Sequence, residues 1–267
     1  MSRKALLVGL EYPSDPNLSP NPDSIDGILE FSRCLTQQLS FLQSNIEIVV
    51  NTSATDRGNK QFDPNQVPFK FINLITQAKQ GDALLCLLSG YGLVQPGRQP
   101  NIYLGRDKEG KKVFMDAADF DDMLRLYPMP QGVTLNMFID AHGSSGLLEG
   151  LNLDSYPSVV VFTSCERGMV SKSSFCSRWD CSCSHFIYAV IRALETNPGI
   201  TNLKLAQWVD HVIEERDILL NVARRLRTQN LEEEKQKALE MANVLAPIQC
   251  LGLLCTDVLS ETQFLSN

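Results

Sequence analysis

With 267 residues, of which 43% are hydrophobic and 21% charged, the chain has an ordinary globular composition and enough apolar surface for a sizeable core. A net charge of -7 argues against a nucleic-acid binder or a protein held on an anionic membrane, and no apolar run reaches the length of a membrane span. No central stretch has linker composition, so the expectation is a single domain over residues 1–267.

Residues 4–12 form a continuous apolar run of strand length that ends at Glu11-Tyr12, too short for a secretory signal. Pro, Asn, Asp and Ser over 13–23 predict a loop. From Ser24 to Leu42 apolar residues recur at helical spacing, with Ser24 as the N-cap. A strand over 45–52, a helix over 66–80 closed by Gly81 and an apolar strand over 82–89 follow. Residues 93–117 carry two short runs around Arg106-Asp107-Lys108-Glu109-Gly110, which predicts a surface hairpin inserted in the domain. A short helix over 117–127 precedes strands over 133–140 and 158–164, helices over 178–196 and 201–227, and a last strand over 248–255.

Strands alternating with helices imply right-handed crossovers and an α/β fold, with a mostly parallel sheet covered on both faces. Ligands bind such sheets beyond the carboxyl ends of the strands. The residues there are Glu11-Tyr12, Ser89-Gly90-Tyr91-Gly92, Asp140-Ala141-His142-Gly143-Ser144-Ser145 and Ser164-Cys165-Glu166-Arg167. Three of these are turns of small residues that each carry one large polar group, the pattern of a site. The eight cysteines (Cys34, Cys86, Cys165, Cys176, Cys181, Cys183, Cys250 and Cys255) sit mostly in apolar runs. Without a secretory signal the expectation is reduced thiols in a cytoplasmic protein.

Two of those turns resemble the motifs of the caspase and metacaspase family of cysteine peptidases. Leu88-Ser89-Gly90-Tyr91-Gly92 is similar to the Ser-Gly-His-Gly turn that carries the family's catalytic His. Ile139-Asp140-Ala141-His142-Gly143-Ser144-Ser145-Gly146 is similar to the Asp-x-Cys-His-Ser-Gly turn that carries its nucleophile. The hairpin, the acidic helix start Met115-Asp116-Ala117-Ala118-Asp119, the first strand Ala5–Leu10 and the fifth strand ending in Ser164-Cys165-Glu166 extend the resemblance through nearly the whole chain. The resemblance implies a three-layer α/β/α sandwich around a six-stranded, mostly parallel sheet.

It also implies a defective dyad. Tyr91 stands at the catalytic His position and His142 at the nucleophile position. A phenol with an ordinary pKa near ~10 is a poor base at neutral pH, and an imidazole forms no thioester. The expectation is a pseudoprotease that acts on a protein or peptide partner, such as an active caspase-like protein. Neither a nucleic acid nor a membrane is expected as partner, and no cofactor, although the resemblance admits calcium. The main alternative is a cysteine endopeptidase in which Cys165, at the tip of the adjacent strand, is a relocated nucleophile with His142 as base. The resemblance would give Asp140 a role in a pocket for Lys or Arg, whereas an Asp capping its own turn is the structural alternative.

Other patterns carry weaker chemistry. Ser144 or Ser145 as a nucleophile with His142 needs residues of one tight turn to face each other, and the G-x-S-x-G elbow of an α/β-hydrolase is absent from the sequence. Gly105–Lys112 nearly spells a phosphate loop but lacks the final hydroxyl and a following helix. Asp116, Asp119, Asp121 and Asp122 match no EF-hand spacing and suit a helix start. Cys176, Cys181, Cys183 and His185 could hold zinc, although the spacing is not a common structural pattern. The run from Glu232 reads as a solvated helix face.

Overall fold

The computed structural model describes residues 2–12, 18, 23–51, 62–93, 99–148, 150–165, 173–176, 179–212 and 252–254. Strands β1 (Arg3–Leu10), β2 (Ile46–Asn51), β3 (Ala83–Ser89), β7 (Thr134–Asp140), β8 (Val159–Thr163) and β11 (Gly252–Leu254) form one six-stranded sheet in the order β11-β8-β7-β3-β1-β2. All neighbours pair in parallel except β11, which runs antiparallel to β8. This is the expected mostly parallel α/β sandwich. The three intervening strands β4 (Tyr91–Leu93), β5 (Asn101–Arg106) and β6 (Lys112–Asp116) make a separate antiparallel sheet, which contains the hairpin expected over 93–117.

The period of two along each strand sorts side chains into two cores. Ala5 and Leu7, Ala83, Leu85 and Leu87, Phe138, and Val160 and Phe162 enter one layer. There they meet helix α1 (Asp23–Gln38), helix α5 (His185–Thr196) and the helical residues 202–212. Leu6, Val8 and Leu10, Leu84, Cys86 and Leu88, Leu135, Met137 and Ile139, and Val159 and Val161 enter the other. That layer is closed by helix α2 (Gln66–Thr76), helix α3 (Ala117–Leu126) and the β5–β6 hairpin. Phe138 anchors the first layer: its ring stacks on Phe162 at 4.7 Å and meets Phe31 edge-on at 5.8 Å.

Several sequence expectations are corrected. Residues 179–184 are not helical: Cys181–Ser184 form strand β10, paired antiparallel with β9 (Ser173–Cys176), and α5 begins only at His185. The reason is local, because Ser184 caps α5 by accepting from the Ile187 N–H at 3.4 Å, which ends the extended segment there. α1 begins one residue before Ser24, so Ser24 is not its N-cap. The helix also stops before Leu39, as Ser40 takes φ 55°. α2 likewise ends at Thr76 rather than at residue 80. The short helix α4 (Ser145–Leu148) follows β7 and was not expected. Residues 213–227, the run from Glu232 and most of the last strand over 248–255 lie outside the described residues. Among the described residues no helix is long and apolar enough to cross a membrane.

Phe138→Ala should remove the stacked partner of Phe162 and leave a cavity between sheet and helices. A loss of about 3–5 kcal/mol is expected in urea denaturation, with an unchanged slope.

Candidate functional site

β1, β3, β7 and β8 run parallel, so their carboxyl ends lie at one edge of the sheet. β3 and β7 are in register to their last residues, with Ser89 opposite Asp140, and the Gly90 N–H continues the ladder by donating to the Asp140 carbonyl at 3.0 Å. The next residues are therefore held side by side. The Tyr91 and His142 rings meet edge to face, 5.4 Å between centroids and 67° between planes. Gly92 makes this approach possible: a Cβ there would lie 1.8 Å from the His142 carbonyl oxygen.

Tyr12 braces the Tyr91 side. It lies two residues beyond the end of β1, takes φ 57°, and is buried. Its hydroxyl donates to the Tyr103 carbonyl and accepts from the Tyr91 N–H at 3.0 Å. The Tyr12 ring stacks on Tyr103 at 5.1 Å and lies 5.2 Å from Tyr91. Burial holds the Tyr12 hydroxyl protonated far above the usual tyrosine range. This brace was not identified from the sequence, where the signal was Tyr12's position at the end of a strand that reaches the site.

Asp140 is only 3% exposed. Ser89 Oγ donates to Asp140 Oδ2 and reaches Ser24 Oγ on α1, both at 3.2 Å. Ser24 is thus a buried link between helix and site rather than a cap. Burial lowers the His142 pKa below its ordinary value, while the Asp140 charge opposes that shift. Tyr91 is pushed up, first by burial and then by the Asp23 charge. At neutral pH the pair is a neutral imidazole against a neutral phenol.

Cys165 lies under the turn that follows β7. Its side chain is 0% exposed. Sγ accepts from the Gly143 N–H at 3.2 Å and donates to the Ala141 carbonyl at 3.1 Å. Its backbone carbonyl accepts from the Ser145 N–H at 2.9 Å, and its N–H donates to Ser144 Oγ at 3.3 Å. Gly143 takes φ 63°, a conformation that a residue with a side chain adopts only with strain. Ser144 is buried and directed at β8, with Ser164 Oγ and the Cys165 carbonyl both at 3.4 Å. These contacts give Ser144 and Cys165 a structural part in the turn. Glu166 and Arg167 lie outside the described residues.

The remaining candidates sit elsewhere. Asp116 and Asp119 are reciprocally bonded as a capping box on α3, Asp122 pairs with Arg125, and Asp121 accepts from the Tyr156 hydroxyl at 3.1 Å. In the β5–β6 turn Asp107 Oδ1 accepts from the N–H groups of Glu109 and Lys111, so Gly105–Lys112 is a hairpin. Cys176, Cys181, Cys183 and His185 fall on β9, β10 and the start of α5. Among the described residues no three His, Cys, Asp or Glu side chains form a group that could hold a metal ion. An open cleft of about 550 Å³, lined in part by Asp121, Arg125, Met129 and Tyr156, lies at the amino end of β8, away from the site.

A family model described as the metacaspase, peptidase C14 domain matches residues 3–150, which include both the Tyr91 and His142 turns. Among solved structures, caspase-1 from Spodoptera frugiperda is similar at 16% identity and TM-score 0.54, covering 78% of this chain and 75% of that one. Protein GSU0716 from Geobacter sulfurreducens is similar at 12% identity and TM-score 0.51, covering 79% and 89%. A structure titled pro-sf-caspase-1 is similar at 15% identity and TM-score 0.51, covering 79% of each chain. At these identities the likeness concerns the fold alone. No curated protein sequence matches the chain.

In a proton NMR titration the His142 imidazole should have its midpoint below the ordinary ~6.5. Asp140→Asn should lower it further, because the carboxylate favours the charged ring. By linkage, the stability that neutral His142 contributes is present above ~6.5 and is lost as pH falls through the lowered value. Gly92→Ala should destabilise the fold by about 1–3 kcal/mol in urea denaturation and weaken the ring contact, because backbone rather than a movable side chain opposes the new methyl.

Proposed function

The chain belongs to the metacaspase, peptidase C14 domain family, and on that premise we propose that it is a catalytically inactive member that works by binding a protein or peptide partner. The observation that carries this is the edge-to-face contact of Tyr91 with His142 at the strand tips where the family resemblance puts the catalytic pair. A phenol whose pKa is raised does not deprotonate a nucleophile at neutral pH, and the dyad's thiol is replaced by an imidazole. The one thiol among the described strand-tip residues, Cys165, is 0% exposed and its sulfur is bonded within the turn after β7. A nucleophile must reach the substrate carbonyl, and burial of that kind opposes it.

What remains is a recognition surface. Tyr91 and His142 are part-exposed, and Asp140 lies beneath them with Ser89 and Ser24. A Lys or Arg side chain of a partner, an active caspase-like protein included, would meet an aromatic face there, with the charge of the buried Asp140 carboxylate behind it. The expected setting is the cytoplasm, and calcium enters through family resemblance alone.

The purified chain and its Cys165→Ala form, incubated with a mixed peptide library with and without calcium, should both leave every peptide intact by mass spectrometry. Cleavage that disappears in Cys165→Ala would instead establish an active His142/Cys165 endopeptidase. In the same preparation, binding of Arg- or Lys-containing peptides, followed by fluorescence anisotropy, should weaken about tenfold in Asp140→Asn, the effect of losing an attractive charge close behind the bound cation.

A further inference from the structure

The β9–β10 hairpin carries sulfur chemistry that the strand-tip site does not use. Its antiparallel register sets Cys176 directly opposite Cys181, and both are thiols in this structure. Residues directly opposed in an antiparallel pair project to the same face with Cα atoms about 4.5–5.5 Å apart, inside the roughly 4.4–6.8 Å that a disulfide spans. Cys183 shares that face of β10 but has Ser174 opposite it, and its Sγ is directed at α1, 3.4 Å from the position a Gly27 Cβ would take. Two residues along one strand are about 6.6 Å apart, close to the outer limit for a bridge. Cys176 is buried and Cys181 only partly so, which gives a reagent from solvent one point of entry.

We propose that Cys176 and Cys181 form a reversible disulfide across the hairpin, with a low-molecular-weight disulfide such as oxidised glutathione as the oxidant. The Cys181 thiol loses its proton to solvent and the thiolate attacks one sulfur of the reagent. The reagent's S–S bond breaks and its first thiolate leaves. Cys176, deprotonated in turn, attacks the Cys181 sulfur of the mixed disulfide and expels the second thiolate. Two protein thiols are oxidised, and one reagent disulfide is reduced to two thiols that take up the two protons.

The surroundings favour the bond once it is made. Burial, then the Asp26 and Glu30 charges on α1, push the Cys181 thiol up to about 11. This slows the first attack at neutral pH and makes the Cys181 thiolate a poor leaving group from the finished bridge. The bridge would hold the register that seats Cys183 against Gly27 and bonds the Ser173 hydroxyl to Asp23 at the start of α1. That helix carries Ser24 to Ser89 and Asp140, so the oxidised hairpin stiffens one wall of the strand-tip site.

The test uses the full chain under native conditions, equilibrated in glutathione buffers of increasing oxidised fraction, quenched with an alkylating reagent and digested with trypsin. Cleavage after Lys172, Arg178 and Arg192 separates Cys176 on peptide 173–178 from Cys181 and Cys183 on peptide 179–192. The expected result is a linked pair of these peptides about 2 Da lighter than their sum, with fragment ions that assign the bond to Cys181. The pair should vanish on reduction and in Cys181→Ser, and persist in Cys183→Ala, with far-UV circular dichroism establishing that each variant is folded. Cys176 and Cys181 that both stay open to alkylation at the oxidising limit would overturn the proposal. So would glutathione carried on Cys181 without the linked pair, or a bond that fragment ions of the unaltered chain assign to Cys183.

Discussion

The in-register parallel pairing of β3 with β7 governs the end of the sheet where the site lies. Ser89 stands opposite Asp140, and the ladder runs one bond further, to Gly90. A slip of one residue would exchange the faces of every side chain on one strand, which a sheet buried on both sides does not tolerate. The two strand tips are therefore locked together, and the residues beyond them have little choice of neighbour. Gly92, pressed against the His142 carbonyl, is the consequence at backbone level, and the Tyr91–His142 contact is the consequence at side-chain level.

That lock is supported from both layers. On one side the Tyr12 hydroxyl bonds the backbone of both Tyr91 and Tyr103, tying the end of β1 to β4 and β5 in one aromatic wall. On the other, Ser24 and Ser89 link α1 to the Asp140 carboxylate. A buried carboxylate is costly unless it is hydrogen-bonded, and the Ser89 hydroxyl answers part of that cost. The turn after β7 is closed from the neighbouring strand by Cys165, whose sulfur both accepts and donates within it.

The chain's thiols differ in what their surroundings allow. Burial in the core lifts Cys34 and Cys86 to about 12 and leaves them as small apolar side chains. Cys165 is spent on turn geometry. Cys181, on a hairpin at the surface of the α1 layer, is only partly covered and has a second sulfur directly across from it. Membership of a cysteine peptidase family therefore does not by itself say which sulfur of this chain is reactive.

The alternating apolar strands and intervening helices were legible because burial on both faces demands continuous apolar runs such as Ala83–Leu88, which little else produces. The small-residue turns at Ser89 and Asp140 were legible for the same reason, since they interrupt those runs. The strand at Cys181–Ser184 was not, because Cys and Ser fit a strand or a helix equally and its pairing partner, β9, is itself too short to register as a pattern. The roles of Tyr12, Ser24 and Cys165 depend on contacts between residues 20 to 91 positions apart, which no local pattern encodes. The amino-acid sequence alone thus determined the layered α/β fold and the residues at the strand tips. Only the tertiary structure decided that Tyr91 faces His142 and that the Cys165 sulfur is directed into the turn after β7, because those outcomes rest on strand register and burial.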